Sequence, residues 1–341
     1  MELGLNTFGD VSVDATGELK PMDAVLRDVV EQAIAADAYG VDFIGLGEHH
    51  RDDFAISAPE ILLGAIASAT EHIKLGSAVT VLSTDDPVRV FQRFSTLHAI
   101  SKGRAEIILG RGSFSESYAL FGFSGADYDL LFEERLDLFA QLRKGGPIAW
   151  QGKTRPPLNE LNVYPPVAGE LKTWVGVGGT PQSVVRVAQY DLSLALAIIG
   201  GDPARFRPLV ELYHKACADF GNAPNGIGTH SPGFVADTDE EARETFWPHY
   251  RSMMNRLGSE RGWPPMSKDR YIAEIEHGSL YVGGPDFVAQ KIARCINTLG
   301  LRRFDLKYAT GPVPHAAQMR CIELYGTKVI PSIRDEVAAA A

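Results

Sequence analysis

Short apolar runs alternate with amphipathic segments along nearly all of the 341-residue chain, and this rhythm constrains the fold more than any single motif. LGLNTF (3–8) reads as a first strand, followed by a helix over 22–40 that Gly40 closes. VDFIGLG (41–47) is the second strand, and a helix over 58–71 follows with Ser57 as N-cap and Pro59 in its first turn. IKLGSAVTVL (73–82) and RAEIILG (104–110) are the third and fourth strands, separated by a helix over 87–101 that ends at Gly103. A helix over 128–143 and a Pro-rich connection (155–170) lead to TWVGVG (173–178) and the helix PQSVVRVAQY (181–190). LSLALAII (192–199), a helix near 203–220 and a strand near 227–235 continue the pattern. Asp237, Thr238 and Asp239 open a helix of about twenty residues. A loop-rich insertion near 258–284 interrupts the rhythm before FVAQKIARCINTLG (287–300), the strand RFDLKYA (303–309) and a last helix over 314–328.

Strand–helix alternation implies parallel strands joined by right-handed crossovers. Eight such units fit a (β/α)8 TIM barrel with insertions in its connecting loops, a single domain over 1–341. An open doubly wound sheet is the alternative, and it predicts a GxGxxG turn after the first strand. The first strand instead ends NTFGDV, so the barrel is the better reading. With 45% hydrophobic residues, the chain has enough apolar side chains for a core of that size. A net charge of −10 argues against nucleic acid as a partner. The first residues, MELGLNTFGD, lack the basic and apolar regions of a secretory signal. No apolar run approaches the roughly 20 residues needed to span a bilayer, so the expectation is a cytoplasmic protein off the membrane. Cys217, Cys295 and Cys321 are widely spaced within helical patterns and read as buried thiols.

A barrel collects its chemistry where strands end and loops lead into helices. The polar residues at those ends are Asn6, then Glu48, His49 and His50, then Thr80, Ser83 and Thr84, then Arg111 and Ser113. Gly178, Gly179, Thr180 and Ser183 follow the fifth strand. GLGEHHRDDF (45–54) admits three readings: metal ligands, proton transfer, or a polar loop. Neighbouring strand residues face opposite ways, no HxH or HExxH is present, and His230 alone among the other histidines lies near a strand end. No metal is therefore expected, and an imidazole titrating near neutrality suits proton transfer or ligand binding. VGVGGTPQSVVRVA (175–188) brings two glycines to a helix N-terminus, a pattern that suits a phosphate, with Arg111 as countercharge; such turns are also common without a ligand. YVGGPDFVAQKI (281–292) reads as a capped helix rather than a second anion site.

Taken together, GLGEHHRDDFAISAP (45–59), LGSAVTVLSTDDPVRVFQ (75–92), SKGRAEIILGRG (101–112) and VGVGGTPQSVVRVA resemble the bacterial luciferase-like, flavin-dependent monooxygenase family. VADTDEEAR (235–243) and LYGTKVIP (324–331) extend the likeness over nearly the whole chain. The resemblance implies an alkanal monooxygenase-like enzyme that uses reduced FMN and O2 to oxidise a small organic substrate such as an aldehyde. It further implies a separate flavin reductase as partner, and a homodimer or higher homo-oligomer. Carried onto this chain, it makes His49 the proton-handling residue with Glu48 and His50 beside it. A non-prolyl cis peptide under the flavin ring falls at Ala78–Val79, and the phosphate contacts fall on Arg111, Gly178, Gly179, Thr180 and Ser183. Asn6 and Gly110 complete the cofactor site.

Two departures stand out. Gly110 replaces the luciferases' reactive cysteine, which implies extra room beside the flavin, and Phe114 replaces an aromatic hydroxyl. Bioluminescence is therefore not expected. The alternatives are a deazaflavin-dependent oxidoreductase of the same fold, or a non-catalytic flavin-binding subunit, against which the histidine pair argues. Arg51, Asp52 and Asp53 read as a charged loop, and the connections 113–127, 151–170 and 258–284 are where a substrate would be selected.

Overall fold

A computed structural model describes residues 1–340, with side chains through residue 337. β1 (Glu2–Thr7), α1 (Met22–Ala38), β2 (Phe43–Leu46) and α2 (Pro59–Ala69) follow the expected order. Ser57 is not the N-cap of α2; Ala58 holds that position without a side-chain hydrogen bond, and Pro59 starts the helix. The third strand is broken: β3 (Lys74–Ser77) and β4 (Thr80–Val81) flank a cis peptide bond at Ala78–Val79. Then come α3 (Pro87–Ile100), β5 (Ala105–Gly110), the five-residue α4 (Glu116–Leu120) and α5 (Tyr128–Leu142). The Pro-rich connection contains part of an antiparallel pair, β6 (Ile148–Trp150) with β7 (Leu158–Leu161), ahead of β8 (Thr173–Val177) and α6 (Pro181–Gln189).

β9 (Ser193–Ala197), α7 (Arg207–Asp219) and β10 (Ile227–Val235) precede α8 (Asp239–Arg261), whose Thr238 hydroxyl caps the Glu241 amide. The stretch 258–284 is more ordered than its composition suggests. It holds the end of α8, then α9 (Lys268–Glu276) and β11 (Tyr281–Gly283), which pairs with the tip of β10. α10 (Pro285–Leu299), β12 (Arg303–Lys307) and α11 (His315–Leu324) follow. The last helix does not stop at 328: a π-helical turn over Tyr325–Val329 carries it into α12 (Ile330–Ala340).

Eight parallel strands close into a ring in the order β1, β2, β3, β5, β8, β9, β10, β12, and β12 pairs with both β10 and β1. Closure puts one strand face on the surrounding helices and the other on the barrel interior, so β1, β2, β5 and β12 are buried almost throughout. The large apolar cluster lies between strands and helices, while a small one of Phe43, Ala78, Ile108 and Trp174 fills the interior. Cys217, Cys295 and Cys321 are buried free thiols, as their helical settings imply. Among the described residues no helix is long and apolar enough to cross a membrane.

The barrel floor is ionic. Arg303 is 1% exposed and its guanidinium lies between the rings of Phe43, at 4.2 Å, and Trp174, at 4.7 Å. Its Nε donates to Glu2 at 2.8 Å and its Nη2 to Glu106 at 2.8 Å, while Glu106 also accepts from Trp174 Nε1 at 2.9 Å. A buried charge is tolerated when paired and hydrogen-bonded, and removing one partner strands the other. Gly76 makes the arrangement possible, because a β-carbon there would stand 2.8 Å from the Phe43 ring. Glu106→Leu should therefore destabilise the protein by about 3 kcal/mol in urea unfolding; a midpoint unchanged from wild type would show that the cluster contributes no net stability.

Candidate active site

The C-terminal ends of β1 and β2 bring the histidine pair to the barrel mouth and turn its members apart. The His49 ring packs 4.7 Å from Phe8, 4.5 Å from Phe54 and 5.1 Å from Phe114, and its Nε2 is buried without a hydrogen-bond partner. His50 points elsewhere: its Nε2 lies 2.9 Å from Glu48 Oε1, with Phe121 edge-on over the ring. Glu48 in turn accepts the Val81 amide at 2.8 Å through Oε2 and sends its own amide to the Val79 carbonyl. Glu48 thus ties the end of β2 to the β3–β4 break. β2 ends at Leu46, so the two imidazoles lie beyond the strand and are separated by their own contacts, His49 with the phenylalanines and His50 with Glu48. Among the described residues the ligand-type grouping is elsewhere, at Asp28, Glu31 and His315, where Lys20 already pairs with Asp28.

Arg51 is more than a member of a charged loop. Its side chain is 5% exposed and reaches Asp53 at 3.0 Å, Glu116 of α4 at 2.6 Å and Glu260 of α8 at 2.6 Å, with its guanidinium 4.4 Å above Phe114. Arg256 adds pairs to Asp52 and Asp53. The loop after β2 is consequently pinned to two distant segments of the chain.

Val79 settles the Gly110 question. A β-carbon on Gly110 would meet Val79 Cγ2 at 2.5 Å, and one on Gly176 would meet Val79 Cγ1 at 3.1 Å. The space expected beside Gly110 is therefore filled by Val79, and the glycines of β5 and β8 exist to admit it. Asn6 projects over Gly45 in the same way, since a β-carbon there would stand 2.2 Å from Asn6 Oδ1. Both polar atoms of Asn6 are buried and make no hydrogen bond. Asn6, Ala78, Val79, Trp174, His230 and Asp305 are among the residues lining an interior cavity of about 40 Å³.

Sequence reasoning noticed His230 only as a histidine near a strand end and missed Lys307, Asp10 and Asp305. Lys307 Nζ lies 3.0 Å from Asp10 Oδ2, donates to the Ala309 carbonyl, and stands 4.6 Å from the Phe8 centroid. Phe8 neighbours both His49 and His230, the latter's ring centroid 6.3 Å from its own. Burial, reinforced by the Lys307 charge, pushes His49 down to about 3 and His230 down to about 4. Burial raises Asp305 to about 7 despite Arg303 nearby. The available signal was the alternation in RFDLK: Arg303, Asp305 and Lys307 share one strand face, which here points into the barrel.

Arg111 follows the end of β5, but its Nη1 is engaged with Asp129 at 2.6 Å and its guanidinium rests against Tyr128 and Phe132. The β5–β8 register sets Leu109 beside Val175, so Arg111 and the Gly178–Gly179 turn emerge from adjacent strands. Gly178 and Gly179 are exposed, with open space where a side chain would stand, and Gly179 has φ +132°. The Thr180 hydroxyl donates to Ser183 Oγ at 2.7 Å and does not cap α6. Among the described residues no hydrogen bond joins Arg111 to this turn.

A closed parallel barrel with unpartnered polar atoms gathered at its strand ends has the layout of a (β/α)8 enzyme. The chain belongs to the family described as luciferase-like monooxygenase, whose sequence profile matches residues 1–303. The alkanal monooxygenase alpha chain of Photobacterium leiognathi is 23% identical over 338 residues, covering 91% of this chain and 94% of that one. Among solved structures, the oxygenating constituent of 3,6-diketocamphane monooxygenase from Pseudomonas putida, a type II Baeyer-Villiger monooxygenase in complex with FMN, superposes with a TM-score of 0.77. It is 21% identical, over 98% of this chain and 99% of that one. An F420-dependent secondary alcohol dehydrogenase superposes with a TM-score of 0.75 at 17% identity, again over 98% and 99%.

The lowered histidines fix the sign of one pH effect. The unfolded state takes up protons near the ordinary value of 6.5, which the folded state refuses until about 4 for His230 and about 3 for His49. Their contribution is complete above pH 6.5 and is lost on acidification. Between pH 6.5 and 5 each histidine should cost up to about 2 kcal/mol of stability. His230→Gln and His49→Gln should each flatten the fall in urea stability over that range; unchanged slopes would mean that the imidazoles titrate normally. Asp305 acts in the opposite sense, its contribution falling as pH rises from about 4 to about 7. Gly110→Cys should destabilise by about 1–3 kcal/mol through its clash with Val79, and adding Val79→Ala should recover most of the loss; no recovery would refute the slot.

Proposed function

We propose that this protein is an FMN-dependent monooxygenase that receives reduced flavin from a separate reductase and oxidises a small organic substrate with O2. The observation that carries the reading is the set of buried polar atoms without partners at adjacent strand ends: Asn6 Oδ1 and Nδ2, and Ser83 Oγ. Unpaired buried donors and acceptors are costly in a protein on its own, and a planar ring with polar edges suits them. Gly178, Gly179, Thr180 and Ser183 would hold the phosphate at the uncapped start of α6, and Arg111 would leave the exposed Asp129 to join them. Ala78, Val79 and Gly110 would form the apolar bed under the ring, with Asn6 at its edge. Family membership and the FMN complex of the Baeyer-Villiger relative support this assignment.

Reduced flavin, when bound, supplies the two electrons by which one oxygen atom of O2 enters the substrate while the other leaves as water. The chain's own residues manage water and protons around that chemistry. Phe8, Phe54 and Phe114 exclude water from His49, and the imidazole, neutral at working pH, can donate or accept a hydrogen bond at its ring nitrogen where a proton moves. Glu48 and His50 act indirectly, by holding the loop after β2 against the β3–β4 break.

Anaerobic titration with reduced FMN, followed by mixing with O2, tests the assignment. Arg111→Ala should weaken FMN binding by roughly tenfold or more, as expected for a charge-assisted contact, while His49→Ala should slow turnover by roughly a hundredfold with FMN affinity nearly intact. The reverse pattern would overturn the roles. Reduced FMN binding no better than to an unrelated protein would end the reading. Tighter binding of a deazaflavin would favour the alternative of a dehydrogenase like the F420-dependent relative.

A further inference from the structure

We propose that the barrel mouth is built to take a small uncharged aromatic compound bearing a hydroxyl or carbonyl group. This substrate class rests on the flavin monooxygenase reading, and deepens it. The first observation is the ring cluster. Phe8, Phe54 and Phe114 surround the His49 imidazole with centroids 4.5–5.1 Å away, and Phe8 and Phe114 are only half-buried, leaving part of each ring accessible at the mouth.

The second observation is the rim. Leu120 is 63% exposed, Phe121 47% and Trp263 40%, which is unusual for side chains of this size. They lie on the two segments that Arg51 draws to the histidine loop, one through Glu116 and the other through Glu260. Two of them reach the cluster's surroundings: Phe121 lies 5.0 Å from His50, and Trp263 is linked to Phe114 through Arg261.

Charge is the third. Lys307 is paired with Asp10, Arg51 with Asp53, Glu116 and Glu260, and Glu48 with His50 and the Val81 amide. No charge among these groups is left over to meet an ionic substrate, and desolvating an ion without a counterion is costly. Arg261 stands at the outer rim, 5.5 Å from the Phe114 centroid and 5.2 Å from that of Trp263, with Nη2 donating to the Ser113 carbonyl. Deeper in the barrel Asn6, Arg303 Nη1 and Asp305 Oδ1 lack partners beside the small interior cavity, whereas at the ring cluster the unpartnered atom is the uncharged His49 Nε2. Because Phe8 neighbours both imidazoles, a ring held against Phe8 brings a polar substituent to one of them.

Calorimetric titration decides the matter, with the protein both free and saturated with FMN. The probes are acetophenone, phenol, cyclohexyl methyl ketone, benzoate and octanal. Cyclohexyl methyl ketone keeps the size and carbonyl of acetophenone but has no π-face. Acetophenone or phenol should bind about fivefold more tightly than the saturated ketone, octanal or benzoate, the advantage expected of ring–ring contacts. Phe114→Leu should reduce that preference to about twofold while leaving FMN affinity and the circular dichroism spectrum unchanged. Equal or tighter binding of the saturated ketone or octanal would overturn the proposal, as would tighter binding of benzoate or no aromatic binding in either form. Aromatic preference with no FMN binding would sink the cofactor reading instead, and FMN binding without that preference would sink only this one.

Discussion

The β12 strand carries a line of ionisable side chains through the centre of the barrel, and the rest of the molecule is arranged around it. Arg303 lies at the floor, Asp305 in the middle and Lys307 at the mouth, all on one strand face and all buried. The two cations demand partners because the interior offers little solvent, while burial raises the Asp305 carboxyl to about 7. Arg303 obtains Glu2, Glu106 and two aromatic faces; Lys307 obtains Asp10 and backbone oxygen. The pairing at the mouth has the larger functional consequence. Burial, reinforced by the cation beside Phe8, discourages protonation of His49 and His230, so both imidazoles remain neutral hydrogen-bonding groups within an apolar box.

Around that line, the mouth is assembled by a few long-range ties rather than by its loops' own propensities. Glu48 joins β2 to the β3–β4 break, and Arg51 joins the β2 loop to α4 and α8, 65 and 209 residues away in sequence. Bidentate, largely buried arginine contacts of this kind hold geometry better than exposed ion pairs. They explain how a site made of connecting segments is kept in one arrangement, and why apolar side chains from distant parts of the chain reach the surroundings of the ring cluster.

Much of this was legible residue by residue. Strand–helix alternation gave the barrel, because parallel strands buried on both faces leave a period that survives in the sequence. The cis peptide at Ala78–Val79 followed from family likeness, whereas the divergence of His49 and His50 did not follow from strand alternation, because β2 ends at Leu46. Other positions misled for identifiable reasons. Gly110 suggested empty space, yet the volume belongs to Val79, a residue from a different strand. Arg51 looked like a solvated charge because its partners Glu116 and Glu260 are remote in sequence. The stretch 258–284 looked irregular because its nine-residue α9 and three-residue β11 are too short to produce a strong periodic signal.

The sequence by itself determined the architecture, the family, and which residues stand at the strand ends. Those properties depend on local periodicity and on the order of motifs, both of which are written along the chain. The tertiary structure alone decided which way charged residues face. In RFDLK the alternation of charged and apolar residues would ordinarily put the charges in water. Closing the barrel reverses that choice, because Phe304 and Leu306 pack among the residues of the large apolar cluster and the opposite face has nowhere to go but inward. Ring closure is a property of all eight strands together, and so is the environment that holds His49 and His230 uncharged.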